Sequence, residues 1–201
     1  MPRKKQFDES FVLHQIMDHF WRKGYHATTM DELSELTSLT KTSLYNAFGG
    51  KKALFIKTVD CYCNEAIRSG MSGMRPGRSV SENLREMLLN FIFDENQQQL
   101  NNGCLLVNSV LELAASDAEL HGYISKKLIE FNQTIIAYLQ IEQASGRLGQ
   151  VLTAKQLGDY FITVLQGLRV QVRIESNSQN LIEVIDTSLL LIQQQEKHDG
   201  T

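Results

Sequence analysis

Apolar residues recur at intervals of three and four along most of the chain, which is the period of an α-helix with one buried face. Between residues 8 and 23, Val12, Leu13, Ile16, Met17 and Phe20 share such a face, Asp8 and Glu9 suit the first turn, and Gly24 ends the run. Thr29-x-x-Glu32 is a capping box: the Thr29 hydroxyl takes the N–H three residues on, and Glu32 reaches back to the Thr29 N–H. Met30, Leu33 and Leu36 follow it, and Thr37-Ser38 should end the helix because short hydroxyl side chains compete for backbone bonds. Thr40 caps a third helix that turns Leu44, Ala47 and Phe48 inward, with Leu39 placed to close on Leu44 as a hydrophobic staple.

A fourth helix, residues 51–69, carries Leu54, Phe55, Val59 and Tyr62 and breaks at Gly70-Met71-Ser72-Gly73 and Arg75-Pro76-Gly77. Further helical patterns cover residues 81–97, 103–115, 118–144, 153–175 and 179–195, with Gly146 to Gly149 breaking the chain before the cap at Thr153. Prolines occur only at positions 2 and 76, so nothing interrupts these runs. The fold class expected is all-α with about nine helices: a three-helix helix-turn-helix head, residues 1–57, and a helical-bundle body, residues 58–201, joined by the fourth helix.

The outward face of the third helix gives the first chemical signal. Lys41, Thr42, Ser43, Tyr45 and Asn46 are left over once the apolar face is assigned. Lysine neutralises phosphate or reaches guanine, short hydroxyls allow close approach, asparagine pairs with an adenine edge, and the Tyr45 phenol reaches the backbone. Thr28, Thr29 and Thr40 lie at the helix starts beside this face. Gly49-Gly50-Lys51-Lys52 opens the fourth helix with free N–H groups and two ammonium groups, an arrangement suited to phosphate. The plainer alternative is a small helical hairpin with a solvated polar face. Charge distribution favours the first reading: residues 1–57 hold nine Lys and Arg against six Asp and Glu, a net +3, leaving eleven against seventeen, a net −6, for the remainder. An acidic body would turn the basic end toward a duplex.

Phe20-x-x-x-Gly24-Tyr25, Thr28-Thr29-Met30-x-x-Leu33, Leu39-Thr40-Lys41-Thr42-Ser43-Leu44-Tyr45-x-x-Phe48 and Lys51-x-x-Leu54 stand in register, and together they resemble the N-terminal signature of the TetR family of transcriptional repressors. The departures are Thr37-Ser38 where that family usually has Ala-Gly, Ile16-Met17 in place of small residues, and the Gly49-Gly50 pair. Gly103-Cys104-Leu105-Leu106-Val107-Asn108, Ser145-Gly146-Arg147-Leu148 and Gln166-Gly167-Leu168-Arg169 are similar to the ligand-binding and dimerising body of one branch of the family. The resemblance implies a homodimeric, ligand-responsive repressor whose partners are a double-stranded DNA operator, a second copy of the chain and an unidentified small-molecule effector. An activator, or an effector-independent DNA-binding protein of the same fold, is the alternative.

Within the body, Phe161, Leu165 and Leu168 in one helix and Leu181, Ile185, Leu189 and Ile192 in the next suit a four-helix interface between two copies, or else the core of one body. Cys104, after Asn101-Asn102-Gly103, falls in the first turn of a helix, where backbone N–H groups lower a thiol pKa, so it is a candidate redox or electrophile sensor as well as a packing residue. His121 and Arg169 are candidates for a polar effector. Arg3-Lys4-Lys5 reads either as an arm following the DNA backbone or as a solvated tail.

Other classes find little support. No Ser/His/Asp set, Gly-rich phosphate loop or metal-spaced His/Cys cluster can be assembled, so neither an enzyme, a cofactor nor a metal site is expected. Cys61 and Cys63, two apart on a helix, point to nearly opposite sides and read as packing residues. Three cysteines make no even disulfide framework, and no run of eighteen apolar residues exists, so a cytoplasmic protein without a membrane span is expected.

Overall fold

A computed structural model of the chain describes residues 7–93, 102–174 and 178–196. The described residues form nine α-helices: α1 (Glu9–Lys23), α2 (Met30–Thr37), α3 (Lys41–Phe48), α4 (Lys51–Ser72), α5 (Val80–Ile92), α6 (Leu105–Leu113), α7 (Ala118–Ala144), α8 (Ala154–Ile174) and α9 (Ser178–Gln193). Among these residues no strand forms, and Leu148 and Glu196 make an isolated antiparallel bridge. The Arg3-Lys4-Lys5 arm and the expected helix ends at residues 97 and 175 lie outside the described residues.

Local signals set most helix starts. The Asp8 carboxylate accepts from the Ser10 and Phe11 amides at 2.9 and 3.2 Å, and the Thr29–Glu32 capping box forms in both directions. A second capping box, Ser79 with Glu82, begins α5 one residue before the expected start. The Glu196 carboxylate accepts from Ser81, at the amide (2.5 Å) and the hydroxyl (2.9 Å), which ties the turn after α9 to the start of α5.

Helix α4 runs through Gly70 instead of breaking there. A Cβ at Gly70 would stand 2.4 Å from the Phe91 ring, so this glycine admits an aromatic neighbour and does not end the helix. The turn comes after Ser72, closed by the Met74 amide on the Met71 carbonyl.

Packing divides the chain into two compact units, Met1–Glu65 with Cys104–Ser125, and Ala66–Gly103 with Lys126–Thr201. In the first, Val12, Ile16, Met17 and Phe20 of α1, Leu33, Leu44 and Phe48, and Leu54, Phe55 and Val59 of α4 are buried. Phe20 meets Phe55 edge-on at 4.9 Å. Truncating either ring to alanine costs about 3–5 kcal/mol, because so large a cavity does not collapse.

In the second unit α5, α8 and α9 pack on one another. The seven residues expected at a dimer interface, Phe161, Leu165, Leu168, Leu181, Ile185, Leu189 and Ile192, are all at most 5% exposed in the single chain. They join Leu84, Leu88, Phe91 and Leu139 in its core. Periodicity correctly finds the apolar face of each helix but cannot say whether that face meets its own chain or another copy. What α8 and α9 leave open is an offset groove of about 710 Å³ whose walls include Val164, Gly167, Gln171, Val184 and Thr187.

Candidate nucleic-acid interface

Helices α2 and α3 are joined by a tight turn in which Ser38 adopts φ 56°, ψ 24°, the left-handed region. It is the one described non-glycine residue with positive φ. Two side-chain bonds hold this turn: Ser34 Oγ donates to the Leu39 carbonyl and Thr37 Oγ1 to the Leu33 carbonyl. Thr40 caps α3 by accepting from the Ser43 amide at 3.1 Å, and its hydroxyl meets the Ser43 hydroxyl at 2.9 Å.

With Leu44 and Phe48 fully inward, α3 presents Lys41, Thr42, Tyr45 and Asn46 to solvent, and Tyr45 stands 50% exposed. An exposed phenol beside an amide and a lysine on a short, capped helix forms a surface that can enter a major groove and meet bases and phosphates together. The Lys41 ammonium is paired with Asp31 of α2, so a phosphate would have to compete with that carboxylate.

The other site candidates are more committed than the sequence suggests. Thr28 is fully buried, and its hydroxyl donates to the Gly24 carbonyl at 2.7 Å, so its side chain closes the end of α1 and does not face outward. Thr29 serves the capping box. Lys51 Nζ lies 4.5 Å over the Tyr25 ring and donates to the His26 carbonyl at 3.3 Å. Burial pushes its pKa down, against the opposing pull of Glu112 and Glu32. Lys52 donates to Glu119 at 2.7 Å and to both oxygens of Asp117 at 3.2 Å. The ammonium groups expected to make a phosphate site are thus paired within the first unit, and a phosphate would have to compete with those partners.

Glu32 does double duty at the start of α2. Its carboxylate accepts from the Thr29 amide at 3.0 Å and pairs with Lys23 of α1. Hydrogen bonding by Lys23, then by the Thr29 N–H, holds its pKa down at about 2. Glu112 of α6, which no sequence motif marks, accepts from the Tyr25 amide at 3.0 Å and the His26 amide at 2.7 Å. No local pattern connects positions so far apart.

Cys104 is the N-cap of α6 and makes no capping bond through its side chain; it is buried, with the Tyr62 hydroxyl donating to its sulfur at 3.6 Å. It therefore sits just before the first turn, not in it. His121 lies half-buried at the start of α7, its amide on the Asp117 carbonyl. Arg169 belongs to the second unit, with its guanidinium 4.9 Å over the Phe91 ring. The fold also assembles a group that local spacing could not reveal: His14 of α1 with Cys61 and Glu65 of α4, their ligand atoms all within 4.8 Å of one another.

Residues 12–58 match the family described as "Bacterial regulatory proteins, tetR family". Over 193 residues the chain is 24% identical to the uncharacterized HTH-type transcriptional regulator YezE of Bacillus subtilis, covering 96% of this chain and all of the relative. It is 23% identical over 190 residues to the HTH-type transcriptional repressor ComR of Escherichia coli, covering 94% of this chain and 90% of that one. Among solved structures, a cysteine-substituted form of the TetR-family transcriptional regulator CifR, complexed with 26-base-pair operator DNA, superposes with a TM-score of 0.84 at 25% identity. The match covers 94% of this chain and 98% of that one.

Proposed function

We propose that this chain, whose residues 12–58 match the tetR family of bacterial regulatory proteins and which over 94% of its length shares the fold of a TetR-family regulator solved on operator DNA, is a homodimeric, ligand-responsive, DNA-binding transcriptional repressor. The observation that carries the reading is α3: a capped helix between two turns, apolar behind and bearing Lys41, Thr42, Tyr45 and Asn46 in front. Two such helices in a dimer enter successive major grooves about 34 Å apart, so the operator is a pseudo-palindrome. The head, residues 1–57, binds DNA; residues 58–201 dimerise and receive the effector, in the cytoplasm.

The groove between α8 and α9 supports the dimer. Gly167 has nothing within 4 Å of where a Cβ would stand, and Val184, 49% exposed, lies on the same groove, so a second copy can approach closely.

Release by an effector needs a ligand that binds one dimer shape better than the other. A hundredfold shift corresponds to about 2.7 kcal/mol. In the second unit the enclosed space walled by Met74, Met87, Phe91, Phe131 and Tyr138 amounts to only about 10 Å³. An effector entering there has to part these helices, one of which is the end of α4, and α4 begins in the first unit. Binding and helix movement are then one event, which is what a differential affinity requires.

Selection of genomic fragments by the purified protein at two salt concentrations tests the proposal. Enrichment of one inverted repeat, with affinity falling as salt rises, supports it. Folded protein that enriches no repeat overturns it.

A further inference from the structure

We propose that His14, Cys61 and Glu65 form a binding site for a borderline-soft divalent transition-metal ion, of which Zn²⁺ is the natural probe. Two helices supply it, α1 giving the imidazole and α4 giving the thiol and the carboxylate at positions four apart, hence on one face.

The distances suit a single ion. Cys61 Sγ lies 3.9 Å from His14 Nε2 and 3.5 Å from Glu65 Oε1. Tetrahedral zinc with bonds of about 2.0 Å to nitrogen and oxygen and about 2.3 Å to sulfur sets its ligands about 3.3–3.5 Å apart. The His14 nitrogen and the Glu65 oxygen hydrogen-bond each other more closely than that, so an ion enters by separating this pair by about an ångström.

A backbone carbonyl already orients the imidazole. His14 Nδ1 lies 2.7 Å from the Ser10 carbonyl oxygen, which can only accept, so Nδ1 carries the proton. The Nε2–Glu65 bond also needs a proton between the two atoms; an entering ion displaces that proton, and the Nε2 lone pair then faces the ion together with Cys61 and Glu65. A ligating histidine is commonly fixed by its other nitrogen donating to a backbone carbonyl in this way. The His14 and Glu65 side chains are 44% and 37% exposed, so an ion reaches them from solvent. Three protein ligands leave one position for water or an exogenous donor.

Binding creates S–Zn, N–Zn and O–Zn coordinate bonds. The Cys61 thiol gives its proton to buffer, and so does any proton on His14 Nε2; no oxidation occurs. The bound ion links α1 to α4 inside the first unit.

Titration of the full-length, tag-free, reduced protein with Co²⁺ tests the site independently of DNA binding. The expected result is one Co²⁺ per chain, with a thiolate-to-cobalt charge-transfer band that Zn²⁺ displaces. Cys61→Ser abolishes the band, and His14→Ala weakens binding by more than the roughly 10- to 100-fold that loss of an outer-shell partner costs. Cys63→Ser, two positions along α4, keeps both band and affinity. Zn²⁺ raises the melting temperature of the wild type but not of Cys61→Ser. Absence of the band in the wild type, its survival in Cys61→Ser, or its loss in Cys63→Ser overturns the proposal and leaves His14–Glu65 as a pairing between helices only.

Discussion

The Glu112 carboxylate accepts a hydrogen bond from the His26 backbone amide at 2.7 Å, across 86 positions of sequence. Its other oxygen takes the Tyr25 amide at 3.0 Å, and Gly24 stands at φ 87° with the place of a Cβ 2.9 Å from that oxygen, so a side chain there would strain the backbone and push the carboxylate aside. The segment between α1 and α2 is thus anchored to α6. Glu112→Ala leaves two amides without this acceptor and should lower unfolding stability by about 1–3 kcal/mol, with weaker operator binding at temperatures near the melting transition. Urea denaturation measures it; a loss under about 0.5 kcal/mol, the size of an ordinary surface change, would show that the anchor is dispensable.

The pair between Lys41 and Asp31 makes opposite predictions for its two members. Lys41→Ala should weaken binding to every sequence and flatten the slope of log affinity against log salt by roughly one. Asp31→Asn frees Lys41 and removes a negative charge beside the duplex, so affinity should rise. Tyr45→Ala should lower operator affinity without changing the oligomeric state. Fluorescence anisotropy over a salt series reads all three, and wild-type behaviour in Lys41→Ala and Tyr45→Ala together would move the DNA face away from α3.

Ser38 occupies left-handed space where glycine carries no penalty. Ser38→Gly should raise stability by up to about 1 kcal/mol, the strain relieved being partly offset by the greater freedom of glycine in the unfolded chain. A lower melting temperature would mean that the serine side chain contributes more than its backbone costs.

Acid should loosen the joint between α1 and α2. The Glu32 pKa falls from its usual 4.5 to about 2 in the folded protein. A folded value below the unfolded one means that this contribution is complete above about pH 4.5 and disappears as the pH falls through about 2. Glu32→Gln keeps an acceptor for the Thr29 amide but loses the charge facing Lys23. Its melting temperature should therefore decline less steeply than the wild type's over that window, and parallel curves would assign the acid sensitivity elsewhere.

Charge placed on the two sides of α8 and α9 should have different consequences. Gly167→Glu points into the open groove, where among the described residues nothing lies within 4 Å of the added Cβ, and should give a folded monomer that fails on operator DNA. Leu165→Glu or Leu189→Glu buries a carboxylate in the core and should unfold the protomer, at a cost of several kcal/mol. Sedimentation with circular dichroism separates the cases. A dimeric Gly167→Glu would place the interface on another surface.

Contacts within a few residues specify the helices and the exposed polar face of α3. Thr29 with Glu32, Thr40 with the Ser43 amide, and the apolar spacing of Val12, Ile16 and Phe20 are all interactions within four residues, and such contacts form wherever the chain is helical. Tertiary structure alone decided which partner each side chain took. It turned Leu165 and Leu189 into the chain's own core, gave Lys52 to Asp117 and Glu119, seated Phe91 against Gly70, and brought His14 to Cys61 and Glu65. The reason is physical: helical periodicity fixes which residues share a face, but an apolar or charged face is equally complementary to many others. Only the simultaneous packing of all the helices selects among them.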